Sequence, residues 1–354
     1  MSIKKYLGQV QGGKGVYISP NSPNQHVIIS GISGSGKSYR IEDMEQRIVE
    51  EGGTVLVIDI NGTHSVSSGR NVNFISAVED GLNLDLFDCQ WVESGKETNS
   101  NLISYVIETL CPKKLRGVWQ IAAVREAVEF AIRHRMEFPS DVAAIAAGLK
   151  GQNTQAAMGA YNHLYDVFEG NIFRHSPKHI CPGMINVISL KGINPQSQKR
   201  ISEIFLCILW RKMRMTGKIN GECTLVIDEF QNLDFEQGTA LFQMLTEARK
   251  YNLSLILATQ TFTIFSEKQR VILNQASVKL FFQQEETDIK KIASLIGGSN
   301  KYTWETVLKR LRIGESIAIG KLQFNGRDVS QPLIIRSSES VCSSQYAIQK
   351  YGRR

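Results

Sequence analysis

The sequence feature that most restricts the fold is the octapeptide GISGSGKS at residues 31–38. It fits the pattern G-x-x-x-x-G-K-[S/T], in which glycines let the backbone wrap so that its N–H groups point inward at phosphate oxygens. The apolar residues 26–30 before it predict a strand, and residues 39–50 after it have the apolar spacing of a helix. Residues 54–60 then predict a second buried strand. This strand–loop–helix–strand order predicts an α/β fold with a parallel sheet.

The loop at residues 31–38 predicts a nucleotide site. The N-terminus of the following helix adds its partial positive charge to the inward N–H groups. Lys37 is expected to reach the β- and γ-phosphates of ATP, and Ser38 is expected to ligate Mg²⁺. The predicted nucleotide-binding residues are Gly31, Ser33, Gly34, Ser35, Gly36, Lys37 and Ser38. The alternative is a glycine-rich turn that binds no ligand.

A second motif, CTLVIDEFQNL, begins at Cys223. Residues 224–227 predict a strand, and Asp228 and Glu229 stand at its carboxyl end, where ligands of parallel sheets bind. Asp228 is expected to hold Mg²⁺ through water. Glu229 is expected to orient and polarise an attacking water, which is typical of a hydrolase site rather than a kinase site. The alternative is a solvated acidic turn.

Two cations lie at the end of the next predicted helix, residues 237–251. A helix that runs back along the sheet for ~14 residues ends ~20 Å from its start. Arg249 and Lys250 therefore cannot reach phosphates bound by their own subunit, and any phosphate that they contact belongs to a neighbour. An arginine finger supplied in this way contributes ~10³–10⁵ in rate. The alternative is a cation that stabilises the helix C-terminus by ~0.3–1 kcal/mol.

Changes in helix and strand patterning along the chain predict four segments. Residues 83–182 carry helix-like patterning with few strand signals, which predicts an inserted, mostly helical domain. The insertion separates residues 1–82, the first part of the sheet domain, from residues 183–336, the second part. Residues 337–354 are polar and basic and are expected to form a tail.

Composition narrows the class of protein. The 354 residues are 42% hydrophobic and 21% charged, as in an ordinary globular protein. A net charge of +7 favours an anionic partner such as nucleic acid, although many basic proteins bind none.

No run approaches the ~18 apolar residues of a membrane span, and no signal peptide is recognisable. Six scattered cysteines without a CxxC pair favour a cytoplasmic protein with reduced thiols. His175, His179 and Cys181 lack a convincing fourth ligand for a metal site.

Together these motifs resemble the HerA/FtsK superfamily of hexameric DNA-translocating ATPases, and HerA more than FtsK. Besides the phosphate loop and the acidic motif, three stretches carry the resemblance. VIDING at residues 57–62 is similar to the family's D-x-x-G, and TEARKYNLSLILATQ at residues 246–260 is similar to its arginine-bearing helix and sensor strand. Residues 274–297 with 311–320 are similar to its closing strand–helix–strand. The resemblance covers most of the chain outside the insertion and the tail.

This resemblance implies a RecA-like P-loop NTPase with a mostly parallel central sheet and ATP and Mg²⁺ as cofactors. It implies the additional-strand, catalytic-glutamate class, in which an inserted strand lies between the phosphate-loop strand and the acidic strand and the next strand carries a polar sensor. Beside Lys37, Glu229 is then the catalytic glutamate, and Gln260 is the sensor that reads the γ-phosphate. Asp59 is an additional acid near the site, and Arg249 is the finger. The alternative for Gln260 is a residue that only caps its strand.

The family pattern is incomplete in this sequence. HerA proteins usually carry a β-barrel before the phosphate loop, and the 30 residues that precede Gly31 are too few for it. No winged-helix module follows Arg336, and no membrane segment of the FtsK or coupling-protein kind is present. We therefore expect a stripped motor core whose assembly needs a partner protein in place of the barrel.

The leading hypothesis is an ATP-driven translocase on double-stranded DNA, a hexameric ring that works with a partner such as a nuclease. DNA is then gripped through its phosphates, and the candidate channel segments are residues 62–73, with Arg70, and residues 261–270, with Lys268 and Arg270. One alternative is an ATP-dependent assembly switch or scaffold for an effector complex. The other is a secretion- or conjugation-type ATPase that moves protein and shares every nucleotide motif.

Overall fold

The computed structural model describes residues 4–62, 64, 71–82, 86–87, 94–95, 97–111, 117–217, 221–297 and 301–337. Within these ranges the strands join into one 13-stranded sheet in the order β12-β11-β2-β1-β13-β10-β9-β3-β8-β7-β4-β6-β5. The strands are β1 (Tyr6–Gln9), β2 (Gly15–Ile18), β3 (Val27–Ser30), β4 (Thr54–Asp59), β5 (Val72–Ser76), β6 (Ile185–Ser189), β7 (Cys223–Ile227), β8 (Leu253–Thr259), β9 (Val278–Phe281), β10 (Glu315–Gly320), β11 (Leu322–Phe324), β12 (Arg327–Val329) and β13 (Leu333–Arg336).

Helices cover the sheet and fill the middle of the chain. Several begin at a Ser, Thr or Asn whose side-chain oxygen accepts a backbone N–H of the first turn, as at Thr98, Ser140 and Asn194. The helices are α1 (Lys37–Glu50), α2 (Asn99–Leu110), α3 (Val118–His134), α4 (Asp141–Gly151), α5 (Gln155–His163), α6 (Tyr165–Glu169), α7 (Pro195–Thr216), α8 (Ala240–Glu247), α9 (Glu267–Leu273), α10 (Glu286–Gly297) and α11 (Lys301–Arg310).

Part of the sheet is parallel, as the strand–loop–helix–strand order predicts. Strands β9, β3, β8, β7, β4, β6 and β5 are parallel neighbours. β8 and β7 are buried along their whole length, which is typical of strands covered on both faces. Their carboxyl ends form one edge of the sheet, called here the carboxyl edge, and their amino ends form the opposite amino edge.

The strand between the phosphate-loop strand β3 and the acidic strand β7 is β8. β8 follows β7 in the chain, whereas the strands that separate the two motifs in sequence, β4, β5 and β6, lie on the far side of β7. The end of β8 is therefore adjacent both to the loop after β3 and to the acidic residues after β7.

Antiparallel strands extend the sheet beyond β9. β10 pairs with β9, and β13, β1, β2, β11 and β12 follow in that order. Strands β1 and β2 form an N-terminal hairpin, and β1 pairs with β13 through Gln9 and Arg336.

Two apolar layers lie against the two faces of the sheet. One face packs Ile41, Met44 and Ile48 of α1 against buried strand residues such as Val57 and Val226. The other face packs against α7, α8, α10 and α11, and its core continues without a break into the buried side chains of α2–α6. These five helices fall within residues 83–182, but the exact limits of an inserted domain remain a prediction.

Some elements differ from the sequence-based expectation. The helix expected at residues 237–251 is shorter, because α8 ends at Glu247 and residues Ala248–Tyr251 form a 3₁₀ turn. Strands β5, β12 and β13 and helices α9 and α11 were not predicted. Of the expected tail, the structure describes only Ser337, which is buried.

Candidate nucleotide-binding site

The phosphate loop joins β3 to α1 at the carboxyl edge. Gly34 and Gly36 have φ values of 76° and 99°, which residues with a Cβ rarely adopt. A Cβ on Gly36 would also lie 2.7 Å from the backbone nitrogen of Gly314. That nitrogen donates a hydrogen bond of 2.9 Å to the Ser35 carbonyl. The loop therefore needs glycine at residue 36 both for its turn and for its close seat on the turn before β10.

Neighbouring strands hold the start of the loop. The Gly31 N–H donates to the Thr259 carbonyl at 3.2 Å, and the Ile32 N–H donates to the Gln283 carbonyl at 2.8 Å. Behind them, the buried Gln284 amide donates to the Ser30 carbonyl, and the Ser30 hydroxyl donates to its Oε1. These bonds fix the loop to the ends of β8 and β9, so its amides have a defined position.

Lys37 is the first residue of α1 and is buried. Its Nζ donates to the Gly31 carbonyl at 2.6 Å and to the Ile32 carbonyl at 3.1 Å, so the ammonium lies inside the loop. Burial lowers the pKa of Lys37, while the carboxylates of Asp228 and Glu229 act in the opposite direction. Lys37 is thus close enough to both carboxylates for their negative charges to stabilise its ammonium.

The oxygen donors at this edge fit Mg²⁺. Ser38 is exposed at the start of α1, and Asp228 lies half-buried just after β7. Burial raises the pKa of Asp228, and the Lys37 ammonium opposes that rise. Mg²⁺ is commonly held by one or two protein oxygens, with water and phosphate oxygens completing its shell. A hydroxyl and a carboxylate are therefore a suitable set, with Ser38 and Asp228 as the residues that would hold the ion.

Glu229 lies between two side-chain amides. Gln260 Nε2 donates to its Oε1 at 2.6 Å, and Asn61 Nδ2 donates to its Oε2 at 2.6 Å. The backbone of Glu229 has φ 55°, an uncommon conformation for a residue with a side chain. Its N–H donates to Asp228 Oδ1 at 2.9 Å, and the ring of the next residue, Phe230, is buried. The unusual backbone is thus held on both sides.

Asp59 ends β4 and is buried, next to β7 in the sheet. Its negative charge contributes to raising the pKa of both Asp228 and His64. The structure therefore brings Lys37, Asp59, Asp228, Glu229 and Gln260 together at the carboxyl edge.

Arg249 lies at the opposite edge. Its Nη1 donates to the Pro23 carbonyl at 2.6 Å, in the segment that leads into β3. It lines a cavity of about 440 Å³ together with residues that precede strands, such as Gly52, Glu222 and Asn252. The length of the strands separates it from the phosphate loop of its own chain. Lys250 is exposed and pairs with Glu247 at 3.3 Å.

Several site residues were not found from the sequence. Asn61 lies in the stretch VIDING, and nothing in a single sequence shows that it meets Glu229. Buried Glu45 of α1 lies 3.2 Å from His64 Nε2, where an amphipathic helix gives no reason to expect a buried carboxylate. Arg40 is fully buried and donates to the Leu7 and Gly314 carbonyls and to Ser337 Oγ, which ties α1 to three distant segments.

The candidate channel segments are only partly described. Arg70 lies outside the described residues. In the other segment, Arg270 Nη1 donates to the Phe265 carbonyl at 2.7 Å and is engaged within the chain, whereas Lys268 is exposed on α9. Over the ranges that the structure covers, no group of three His, Cys, Asp or Glu side chains is arranged to hold a metal ion, and His175, His179 and Cys181 form no such group. Among the same residues, no helix is long and apolar enough to span a membrane.

Two family models match the chain. Residues 5–207 match "Helicase HerA, central domain", and residues 222–335 match "TraM recognition site of TraD and TraG". The first match alone covers more than half of the chain.

Two curated relatives are similar over most of the chain. The DNA double-strand break repair helicase HerA of Saccharolobus solfataricus is 24% identical over 330 residues, 87% of this chain and 64% of the relative. The protein of the same name from Sulfolobus acidocaldarius is 23% identical over 349 residues, 91% of this chain and 66% of the relative. The chain thus spans slightly less than two thirds of either relative.

Solved structures share the fold. VirB4 of Thermoanaerobacter pseudethanolicus superposes with a TM-score of 0.72 and 17% identity, covering 97% of this chain and 99% of that one. The bacterial conjugative coupling protein TrwBΔN70 gives 0.66 and 11%, covering 96% and 89%. The plasmid coupling protein TrwB in complex with ADP and Mg²⁺ gives 0.63 and 12%, covering 89% and 85%.

These matches confirm the RecA-like α/β fold expected from the phosphate loop and the resemblance to the HerA/FtsK superfamily. The chain belongs to the HerA helicase central-domain family and has the fold of a P-loop ATPase of the HerA/FtsK type.

Proposed function

We propose that the protein is an ATP-hydrolysing motor that translocates double-stranded DNA. The observation that carries the hydrolytic part is the meeting of Lys37, Asp228, Glu229 and Gln260 at the carboxyl edge, with the Lys37 ammonium inside the phosphate loop. A carboxylate after β7 that can polarise water, beside a lysine inside the phosphate loop, is the arrangement required for hydrolysis of a phosphoanhydride.

Each residue has a distinct role in the proposed reaction. The loop amides and the Lys37 ammonium would bind and orient the β- and γ-phosphates, and Ser38 and Asp228 would hold Mg²⁺. The ion would neutralise charge on the phosphate oxygens. Glu229 would orient and polarise the attacking water, while Gln260 would read the γ-phosphate from the end of β8. Asp59 adds negative charge behind Asp228.

The position of Arg249 supports a ring in which subunits share sites. At the amino edge, Arg249 is a strand length from its own phosphate loop, and β8 alone spans seven residues, about 23 Å at ~3.3 Å per residue. A second copy whose carboxyl edge approaches the cavity near Pro23 would bring its phosphates to this guanidinium. We propose a homo-oligomer, and a hexamer by resemblance to the HerA/FtsK superfamily. In it, Arg249 acts as an arginine finger on the nucleotide site of the neighbouring subunit.

Double-stranded DNA is the proposed substrate of movement. The net charge of +7 and the similarity to two double-strand break repair helicases support it. We propose a nuclease or other effector protein as a partner and the cytoplasm as the location. A secretion- or conjugation-type ATPase that moves protein is the second candidate, and the match of residues 222–335 to the TraM recognition site of TraD and TraG supports its conjugation-type part.

Steady-state ATP hydrolysis by the purified protein, with and without long double-stranded DNA, tests the proposal. Glu229→Gln is the blank. We expect stimulation by DNA that increases from short to long duplexes and vanishes in the variant. Hydrolysis that is equal with and without DNA would contradict the translocase and favour the protein-moving candidate or an ATP-dependent assembly switch.

A further inference from the structure

The two amides that contact Glu229 come from opposite sides of it. In the sheet, β7 lies between β8 and β4, and β8 is the neighbour of the phosphate-loop strand β3. Gln260, at the end of β8, therefore lies on the phosphate-loop side of Glu229. Asn61, just after β4, lies on the far side. The hydrogen bond to Gln260 is compatible with a carboxylate that faces the phosphate loop. The hydrogen bond to Asn61 instead orients the carboxylate towards β4, away from that loop.

The contact from Asn61 is short and charge-assisted. Its Nδ2 lies 2.6 Å from Glu229 Oε2, and hydrogen bonds to a carboxylate are stronger than bonds between neutral groups. The same oxygen is 3.4 Å from Nδ2 of Asn232, which is a much weaker contact. With Oε1 engaged by Gln260 and Oε2 by Asn61, both oxygens already accept a donor and the carboxylate is held in one orientation.

The backbone around Glu229 leaves only its side chain free to turn. Its N–H is bound by Asp228, and the Phe230 ring stacks on Phe265 with centroids 4.8 Å apart and an interplanar angle of 9°. Reorientation of the carboxylate towards the phosphate loop therefore takes place by side-chain rotation, and it requires the bond to Asn61 to break.

A buried ion pair anchors the segment that carries Asn61. His64, three residues further on, has its Nε2 3.2 Å from Glu45 Oε2, and the Glu45 side chain is 1% exposed. Glu45 belongs to α1, the helix that begins with Lys37. The segment after β4 is thus attached to the phosphate-loop helix at His64 and to the catalytic carboxylate at Asn61.

We propose that Asn61 is a positioning residue that holds the Glu229 carboxylate away from the phosphate loop and keeps hydrolysis slow until the hydrogen bond between Asn61 and Glu229 breaks. This inference rests on the proposed ATP hydrolysis and names how that site is regulated. Asn61 contacts Glu229 and takes no part in the chemistry, so its removal raises turnover instead of lowering it.

The test compares Asn61→Ala with Asn232→Ala, a matched control that removes an amide at 3.4 Å from the same oxygen. Steady-state kcat and KM for ATP are measured without DNA and with long duplex DNA. We expect Asn61→Ala to raise the DNA-free kcat about three- to tenfold, in keeping with the loss of one charge-assisted hydrogen bond at a partly exposed site. KM should change little, and Asn232→Ala should stay within about twofold of wild type.

Two further variants separate positioning from structure. Asn61→Ser, whose hydroxyl is too short to reach Glu229, should raise kcat as Asn61→Ala does. Asn61→Ala combined with Glu229→Gln should return to the blank. Because Asn61 is exposed, the variants should melt at the wild-type temperature.

The outcomes distinguish this inference from the proposed function. A DNA-free kcat of Asn61→Ala equal to or below wild type, in a folded protein that binds ATP, overturns the restraint even where DNA stimulates the wild type. An increase in Asn61→Ala when DNA has no effect on the wild type supports the restraint and contradicts the translocase. Absence of hydrolysis in both proteins, with and without DNA, overturns both.

Discussion

The two edges of the parallel sheet carry charged side chains in different surroundings. At the carboxyl edge, Glu229, Gln260 and Ser38 are exposed or half-buried, and they contact each other or lie open to a ligand. At the amino edge, Lys5 is 1% exposed, donates to Ser254 Oγ and lies 4.0 Å from Glu222.

The electrostatic state of each edge follows from this difference. Burial lowers the pKa of Lys5 to about 8 even though Glu222 raises it. Burial also lowers the pKa of His26 to about 3, so the ring is neutral and its Nδ1 accepts the Leu255 N–H at 3.0 Å. At the amino edge, Lys5 and His26 are buried and form hydrogen bonds to residues of β8. At the carboxyl edge, polar side chains remain accessible to a ligand. Arg249 differs from Lys5 and His26, since its side chain is exposed and its guanidinium donates to the Pro23 carbonyl.

The largest expected effect concerns Arg249. Arg249→Ala should lower kcat by about 10³-fold or more, the range of a finger in trans, without loss of stability. Steady-state hydrolysis measures it, with Lys250→Ala, the adjacent exposed cation, as the control that stays near wild type. Mixing Arg249→Ala with Glu229→Gln should restore part of the activity, because some interfaces then combine two wild-type halves. No recovery in subunits that demonstrably co-assemble would contradict the finger.

The next effect tests the amino edge as a structural region. Lys5→Ala removes a fully buried side chain, its hydrogen bond to Ser254 Oγ and its charge 4.0 Å from Glu222, and should reduce the free energy of unfolding by about 1–3 kcal/mol, because release of the buried charge offsets part of the loss. Urea denaturation measures it, and the exposed neighbour in Lys4→Ala should change it by less than about 0.5 kcal/mol. The KM for ATP of the folded Lys5→Ala protein should be unchanged. Equal stability of the two variants would show that the buried lysine adds little.

The smallest effect concerns the buried ion pair between His64 and Glu45, near the carboxyl edge. Burial alone would lower the pKa of His64, but the bond to Glu45 and its charge raise it to about 9. The stabilisation is therefore fully present below the unfolded value of ~6.5 and is lost as the pH rises through about 9. We expect His64→Gln to be less stable than wild type by up to about 3 kcal/mol at pH 6.5, with the difference vanishing near pH 10. Thermal unfolding across this range measures it, and a difference independent of pH would indicate a packing effect instead.

The nucleotide loop was predictable because its determinants are local. Glycines, lysine and serine at fixed spacing between a strand and a helix specify a loop whatever the rest of the chain does. The acidic pair after β7 was predictable for the same reason, since residues at the carboxyl end of a parallel strand share one edge. The amino-edge location of Arg249 also follows from helix length, although its helix ends in a 3₁₀ turn.

The remaining features depend on contacts between distant segments. Asn61 and Glu229 are 168 residues apart in the chain, and no periodicity reports their meeting. Glu45 lies in an amphipathic helix, where a carboxylate is normally assigned to the solvent face. Strands β12 and β13 are short and largely exposed or half-buried, so their patterns do not stand out from a loop. The helix α9 has a signal in the sequence, since Ser266 and Gln269 form a capping box at its start, but it is only seven residues long.

The position of β3 has a consequence for the order in which the protein is made. β3 lies between β8 and β9, which leave the ribosome more than two hundred residues later, and Arg40 of α1 donates a hydrogen bond to Ser337 Oγ. At ~5–20 residues per second, the phosphate loop waits roughly 10–45 s for its first neighbouring strand. The buried residues of β3 and α1 are exposed to solvent during that time. The phosphate loop can therefore reach its place in the sheet only after residues 253–281 have been synthesised.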